Sequence, residues 1–292
     1  MITAAVRRGT NMIDFIGALA DPENQFLRTA LLAGLLASVS FGVMGTYVVT
    51  RRISYLAGAV SHCVFGGIGA ALFLRHHTGL AWIDPMHGAA AAAVLAALAI
   101  GMISMYARQR EDTAIGALWA VGMALGLLFI DLTPGYVDIS SYLFGDILLL
   151  GPMDLYLIMG LNVLIIAVAA YFYHALLAVC FDMEFARLRG IPAGFFYLLL
   201  LCLTALTVVL LVRVVGIIMV IALLTLPAAI AGQFAKRLWQ MMILSTLLCM
   251  AFVWIGLSIS YRLRLSSGPT IIMVAGTVYL VVTLVQAVRR KG

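Results

Sequence analysis

The stretch Phe181-Asp-Met-Glu-Phe-Ala-Arg-Leu-Arg-Gly-Ile-Pro192 is a polar interruption between two long apolar runs, residues 155–178 and 194–212. A helix needs roughly 20 apolar residues to cross about 30 Å of hydrocarbon, so each flanking run is long enough to span a bilayer. The segment between them is too short and too charged to be a further span. The pattern therefore predicts two membrane helices joined by a short polar segment on one side of the membrane.

Composition extends this interpretation to the whole chain. Of 292 residues, 64% are hydrophobic and 10% are charged, which leaves too little polar surface to coat a soluble globule. A membrane barrel would need short strands of alternating polarity, which the sequence lacks. We predict an all-α integral membrane protein, a polytopic bundle of about eight to nine transmembrane helices with one short cytoplasmic helix. The predicted spans are 27–49, 54–74, 86–106, 113–131, 155–178, 194–212, 214–235, 240–260 and 269–288.

Two regions follow one another along the chain. Residues 1–26 carry charges around a short apolar run at 12–20, which is too brief to span a bilayer. The run is not followed by the small-residue cleavage site of a signal peptide, so a signal peptide is not predicted. We predict an amphipathic interfacial segment there, followed by a single transmembrane domain at 27–292. The cysteines show no paired spacing, so they predict neither a disulfide framework nor a zinc knuckle. They are Cys63, Cys180, Cys202 and Cys249.

The basic residues predict the orientation, because Lys and Arg are retained on the cytoplasmic side of a membrane. With the spans above and the amino end outside, the polar segment 181–192 faces the cytoplasm. The formal net charge of +6 is then explained by topology and anionic headgroups, and nothing indicates nucleic-acid binding. The predicted cytoplasmic basic residues are Arg51, Arg52, Arg108, Arg110, Arg187, Arg189, Lys236, Arg237, Arg289, Arg290 and Lys291.

Within the polar segment, Phe181 and Phe185 lie one helical turn apart, and Gly190 and Pro192 are residue types that end a short helix. Acidic and basic residues accompany the aromatics. Two interpretations are open from these residues: a handle that a soluble partner binds, or an ordinary loop between two spans.

Several segments occur in a fixed order along the chain. Together they resemble the membrane subunits of the ABC importers for zinc, manganese and iron. The segments are Arg51-Arg52-Ile-Ser-Tyr with Ser61-His62, Glu111-Asp112-Thr-Ala-Ile-Gly116, Tyr142-Leu-Phe-Gly-Asp146, the polar segment with Phe181-Asp182 and Gly190, Val215-Gly216 through Leu226-Pro-Ala-Ala229, and Ser267-Gly-Pro-Thr270.

The resemblance implies a permease subunit in the bacterial cytoplasmic membrane that moves divalent metal ions inward. It favours zinc, with manganese or iron as alternatives, and no permanently bound cofactor. It implies a second permease copy, identical or a paralogue, an extracytoplasmic metal-binding protein that delivers the ion, and cytosolic ATPase subunits. Those ATPases would hydrolyse ATP, so the chain itself would not be an enzyme. Its own sequence has neither a phosphate-binding loop ending in Gly-Lys-Ser or Gly-Lys-Thr nor a His-Glu-x-x-His pair.

The resemblance also assigns the short helix in the polar segment to ATPase contact. A short, stiff helix transmits the motion of a closing ATPase better than a loose loop. Phe185 is the expected anchor in a partner groove, and the charged residues provide polar contacts at its rim. The predicted contact residues are Asp182, Glu184, Phe185, Arg187, Arg189 and Gly190.

A metal pathway is predicted near His62, Cys63 and Asp146. An ionisable group inside a membrane usually faces a cavity or a partner, and imidazole is a common metal ligand. His62 could equally bond a backbone carbonyl of a neighbouring helix. Proteins of the family often carry a carboxylate one turn before this histidine, where the chain has Gly58. Asp146, with Asp131 and Asp138, is expected to make the outer entrance negative.

Other polar residues have structural interpretations that compete with a function. Pro227 lies inside a predicted span and, with Gly216, indicates a kink that either gates the pathway or only shapes the packing. For Asp112, which opens the fourth span, capping of the helix is favoured over metal contact. His76, His77, Asp84 and His87 are expected in a solvated outer loop, and His174 at the inner end of the fifth span.

Two alternative functions remain. One is a permease of similar build for a metal chelate or a corrinoid, which would need a wider pathway. The other is a secondary transporter driven by an ion gradient, which would need acids at mid-span and two related halves. The predicted spans show neither a mid-span acid nor a clear inverted repeat, so the sequence favours an ATP-driven importer.

Overall fold

The computed structural model describes residues 24–79, 84–106, 111–134 and 151–289, together with positions 17, 19, 143 and 145. Within these residues the chain is helical and has no strand. Its helices are α1 (Gln25–Thr50), α2 (Ser54–Thr78), α3 (Pro85–Tyr106), α4 (Glu111–Asp131), α5 (Pro152–Tyr171), α6 (Tyr173–Phe181), α7 (Met183–Leu188), α8 (Ala193–Val215), α9 (Ile217–Phe234), α10 (Leu238–Leu263) and α11 (Ser267–Arg289).

Of the helices in the described part of the chain, 9 are long and apolar enough to cross a bilayer, all except α6 and α7. The predicted all-α, polytopic membrane fold is therefore confirmed. The predicted interfacial segment at 1–26 lies almost wholly outside the described residues and stays a prediction. The division into that segment and a single transmembrane domain is likewise untested.

The prediction of one continuous span at 155–178 is wrong. Helix α5 ends at Tyr171, and Phe172, with φ −101° and ψ 19°, leaves helical geometry before α6 begins. Its amide still bonds the Val168 carbonyl and its own carbonyl accepts from Leu176, so the chain turns without losing these backbone bonds. His174 consequently lies in α6, outside the span.

Helix α1 lies at the centre of the bundle. It packs against α5, α9 and α10, while α2 packs against α3 and α4. Phe41, Met44 and Tyr47 are fully enclosed on α1. Large apolar side chains are exposed on the outer helices instead, among them Val163 on α5 and Leu284 on α11. Exposed apolar side chains on long apolar helices are suited to contact with lipid.

Many polar groups inside the spans bond within the protein, because hydrocarbon offers them no water. Asn162 on α5 donates to the Leu36 carbonyl of α1 over 2.9 Å and accepts from Ser40. Hydroxyls elsewhere in the spans bond the carbonyl one turn back along their own helix. They include Ser38, Thr46, Thr204, Thr207, Thr225 and Thr246.

Candidate coupling segment and metal pathway

The short helix α7 begins with a side-chain cap. Asp182 is extended, with φ −153° and ψ 108°, and its Oδ1 accepts hydrogen bonds from the backbone amides of Glu184 at 2.9 Å and Phe185 at 3.1 Å. The first amides of a helix have no partner within the helix, so this carboxylate satisfies two of them. Asp182, predicted as a contact residue, thus also fixes where α7 starts.

The other end of α7 is closed by Gly190, which adopts the left-handed region with φ +75°. Its amide donates to the Arg187 carbonyl at 2.9 Å, and the Ile191 amide donates to the Ala186 carbonyl at 3.0 Å. This pair of bonds is the Schellman arrangement, which satisfies carbonyls at the end of a helix. A Cβ at Gly190 would meet nothing within 4 Å, so the backbone angle rather than crowding favours glycine there.

One face of α7 rests on the protein and the other is exposed. Ala186 is fully buried, whereas Phe185 is 48% and Leu188 is 87% exposed. Arg189 lies over the Phe185 ring at 5.0 Å, and Glu184 pairs with Arg187 at 3.2 Å. An exposed apolar surface with a charged rim, outside the spans, is typical of a protein-binding site.

Arg51, in the turn between α1 and α2, joins α7 to the bundle. Its Nη2 donates to the Met183 Sδ at 3.0 Å, and its Cζ lies 5.6 Å from the Tyr197 ring centroid on α8. The sequence marked Arg51 only as part of a motif and as a basic residue on the cytoplasmic side. Its contact with α7 depends on the tertiary arrangement, which no local sequence pattern encodes.

His62 lies near the middle of α2 and is half-buried against α4. Its ring stacks on Trp119, with centroids 4.9 Å apart and an interplanar angle of 29°. Its Nδ1 lies 3.2 Å from the Met123 Sδ. The contacts of the imidazole are therefore with an indole and a thioether. Trp119 and Met123 were not predicted, although their spacing of one helical turn placed them on one face of α4.

Cys63 is directed at the backbone of α4. Its thiol donates to the Leu118 carbonyl at 3.4 Å, and a Cβ at Gly122 would lie 3.0 Å from its sulfur. These contacts hold α2 and α4 together. A part for Cys63 in the metal pathway stays a prediction.

Gly58 lies where the resemblance would place a carboxylate. A Cβ at this position would lie only 2.1 Å from Trp119 Cζ3. Side-chain space beside Gly58 is thus filled by the indole ring that stacks on His62. Along the same interface, a Cβ at Gly66 would lie 2.8 Å from the Gly122 carbonyl oxygen. Small residues let the backbones of α2 and α4 approach closely.

Asp146 and Asp138 lie outside the described residues, whereas Asp131 is exposed at the end of α4. Gly145, next to Asp146, is described: its φ is +69°, and a Cβ there would lie 2.4 Å from the Val215 carbonyl carbon. Gly145 therefore contacts the junction between α8 and α9. Gly216 forms that junction with φ +79° and ψ 164°.

Pro227 lies inside a spanning helix, α9, as predicted, and it is buried there. The kink and a part in gating stay predictions. Three of the residues predicted in the outer loop lie in helices instead. His76 and His77 are in the last turn of α2, which continues to Thr78, and His87 is in the first turn of α3. Asp84 precedes α3 and accepts from the Met86 amide at 2.8 Å. Across the described residues, no three or more His, Cys, Asp and Glu side chains are grouped so that they could hold a metal ion.

The ABC 3 transport family matches residues 23–286. An uncharacterized membrane protein of Synechocystis is 41% identical over 94% of this chain and 95% of its own length. The manganese import system permease protein ScaB of Streptococcus gordonii is 30% identical, over 92% and 93%. The solved structure of PsaBC from Streptococcus pneumoniae in complex with Fab superimposes with TM-score 0.80 and 30% identity, covering 93% of this chain and 95% of that chain.

Proposed function

Because this chain belongs to the ABC 3 transport family, we propose that it is the permease subunit of a bacterial importer that moves zinc inward past His62. Separate cytosolic ATPase subunits supply the energy. A second permease copy completes the pathway, and an extracytoplasmic metal-binding protein delivers the ion. The metal ion is the transported substrate. Manganese is the main alternative to zinc, since the similar permease ScaB is named for manganese import.

The exposed, doubly capped helix α7 is the observation that carries the coupling role. Phe185 and Leu188 remain exposed although α7 lies outside the spans, where apolar side chains gain nothing from lipid. Asp182 and Gly190 fix both ends of the helix, and the Arg51 contact joins it to the turn before α2. A displacement of α7 by the ATPase would therefore be transmitted to α2, the helix that carries His62.

Uptake by reconstituted vesicles tests this function. The permease, its ATPase and its binding protein would be placed in liposomes, and radioactive Zn²⁺ or Mn²⁺ uptake measured with and without ATP. We expect ATP-dependent uptake in the wild type. Phe185→Ala should abolish both uptake and metal-stimulated ATP hydrolysis, because the anchor in the ATPase groove is removed.

A matched control separates coupling from folding. Tyr156→Ala truncates another aromatic, 68% exposed, near the start of α5, at the end of that helix farther from α6 and α7. It should leave uptake near the wild-type rate. Full uptake in Phe185→Ala, or equal losses in both variants, would contradict the assignment of α7 to the ATPase.

A further inference from the structure

The contact between α2 and α4 contains two donor atoms of a kind that metal ions bind. His62 Nδ1 and Met123 Sδ lie 3.2 Å apart, and the Trp119 ring covers the imidazole. Two ligands of one tetrahedral ion, at bond lengths of about 2.0 and about 2.3 Å, lie about 3.5 Å from each other. A shift of a few tenths of an ångström would therefore let both atoms contact the same ion.

The chemistry of these two donors selects among metals. Thioether and imidazole suit borderline and soft ions such as Zn²⁺, whereas carboxylate and other oxygen ligands suit Mn²⁺. A pair of neutral ligands also binds an ion more weakly than a closed site of four. Weak binding suits a transport pathway, since an ion must leave as readily as it enters.

Trp119 keeps an oxygen ligand away from His62. It fills the space beside Gly58, where a Cβ would lie 2.1 Å from the indole, so a carboxylate one turn before the histidine has no room. The acids of described side chains all lie at helix ends or outside the helices: Asp84, Asp112, Asp131, Asp154, Asp182 and Glu184.

We infer that Met123 and Trp119 set the metal preference of the pathway. Met123 joins His62 as the second ligand for a passing Zn²⁺, and Trp119 excludes the oxygen donor that would favour Mn²⁺. This inference rests on the proposed function, in which ions pass His62. It adds two residues of α4 whose part would be selectivity rather than coupling.

Met123→Leu is the first test, because leucine is similar in size and removes only the sulfur. Initial uptake rates of Zn²⁺ and Mn²⁺ would be compared in vesicles that contain the permease, its ATPase and a binding protein loaded with either metal. We expect the Zn²⁺ to Mn²⁺ ratio to fall about tenfold, as is typical when the surroundings of a metal site are altered. Met159→Leu, on an exposed position of α5, should leave the ratio unchanged.

The converse variant combines Gly58→Asp with Trp119→Ala, so that the new carboxylate has room beside His62. It should raise the relative uptake of Mn²⁺. Gly58→Asp alone should lower the yield of folded protein, because the indole still fills the space. An unchanged ratio in both Met123→Leu and the double variant would overturn the inference.

Direct binding separates this inference from the proposed function. Equilibrium binding of radioactive Zn²⁺ and Mn²⁺ to the permease–ATPase complex would be measured without the binding protein. A Zn²⁺ preference that Met123→Leu removes supports the selectivity role, even if ATP drives no uptake and the proposed function fails. Uptake that depends on ATP while Zn²⁺ binding is identical in wild type and Met123→Leu sustains the proposed function and removes the inference.

Discussion

Helix α7 and the α2–α4 contact differ in what determines their structure. Local bonds define α7: the Asp182 cap at its start and the Gly190 turn at its end. Close packing between two spans defines the other region, where Gly58 and Gly66 leave room for groups of α4. The first region keeps its shape while it is exposed to a partner. In the second region the groups of α4 lie where a Cβ of Gly58 or Gly66 would be, so a larger side chain at either glycine would disturb the contact.

The largest effect is expected where the backbones of two spans lie close together. Gly67 of α2 meets α3, and a Cβ there would lie 2.2 Å from the Gly88 carbonyl oxygen and 2.6 Å from the Ala92 Cβ. Gly67→Ala should destabilise the bundle by about 1–3 kcal/mol, as overpacking does. The loss would be measured as a lower midpoint of thermal unfolding of the purified protein in detergent.

The control for this prediction is Gly160→Ala on α5, where a Cβ would meet nothing within 4 Å. Alanine is the better helix former, so this variant should be as stable as the wild type or more so. Equal melting midpoints for the two variants would show that close packing does not hold α2 and α3 together.

The same difference explains what the sequence could predict. Span positions follow from the length of apolar runs, and the ends of α7 follow from local signals such as Gly190, so both were predictable. The break at Phe172 was missed because it lies within an apolar run and has no Gly or Pro to mark it. The Trp119 and Met123 contacts with His62 depend on how two distant segments pack, which no local pattern encodes.

A second prediction removes the cap of α7. Asp182→Ala leaves the Glu184 and Phe185 amides without their acceptor, which costs about 1 kcal/mol and frays the helix. Because α7 lies outside the spans, we expect metal-stimulated ATP hydrolysis to fall while the thermal midpoint of the bundle barely changes. Asp182→Asn keeps a capping oxygen and should retain most of that hydrolysis. Equal losses in both variants would indicate that the charge, rather than the cap, is required.

A third prediction concerns the far end of the same helix. Gly190→Ala introduces no clash, so its cost is the left-handed backbone angle, about 1 kcal/mol. Gly190→Asn tolerates that angle better and should lie between alanine and the wild type in metal-stimulated ATP hydrolysis. Wild-type hydrolysis in the alanine variant would show that coupling does not require this turn.

The smallest effect is expected at a second turn of the same type. Helix α1 ends with the bonds found after α7: the Arg52 amide donates to the Val49 carbonyl and the Ile53 amide to the Val48 carbonyl, each at 3.0 Å. Here the left-handed position is held by Arg52, with φ +64°, rather than by glycine. Arg52→Gly should relieve that strain. It should raise the free energy of unfolding by about 1 kcal/mol or less and therefore the thermal midpoint slightly. Arg52→Ala removes the same charge without relieving the backbone, so a rise in both variants would trace the gain to charge instead of conformation.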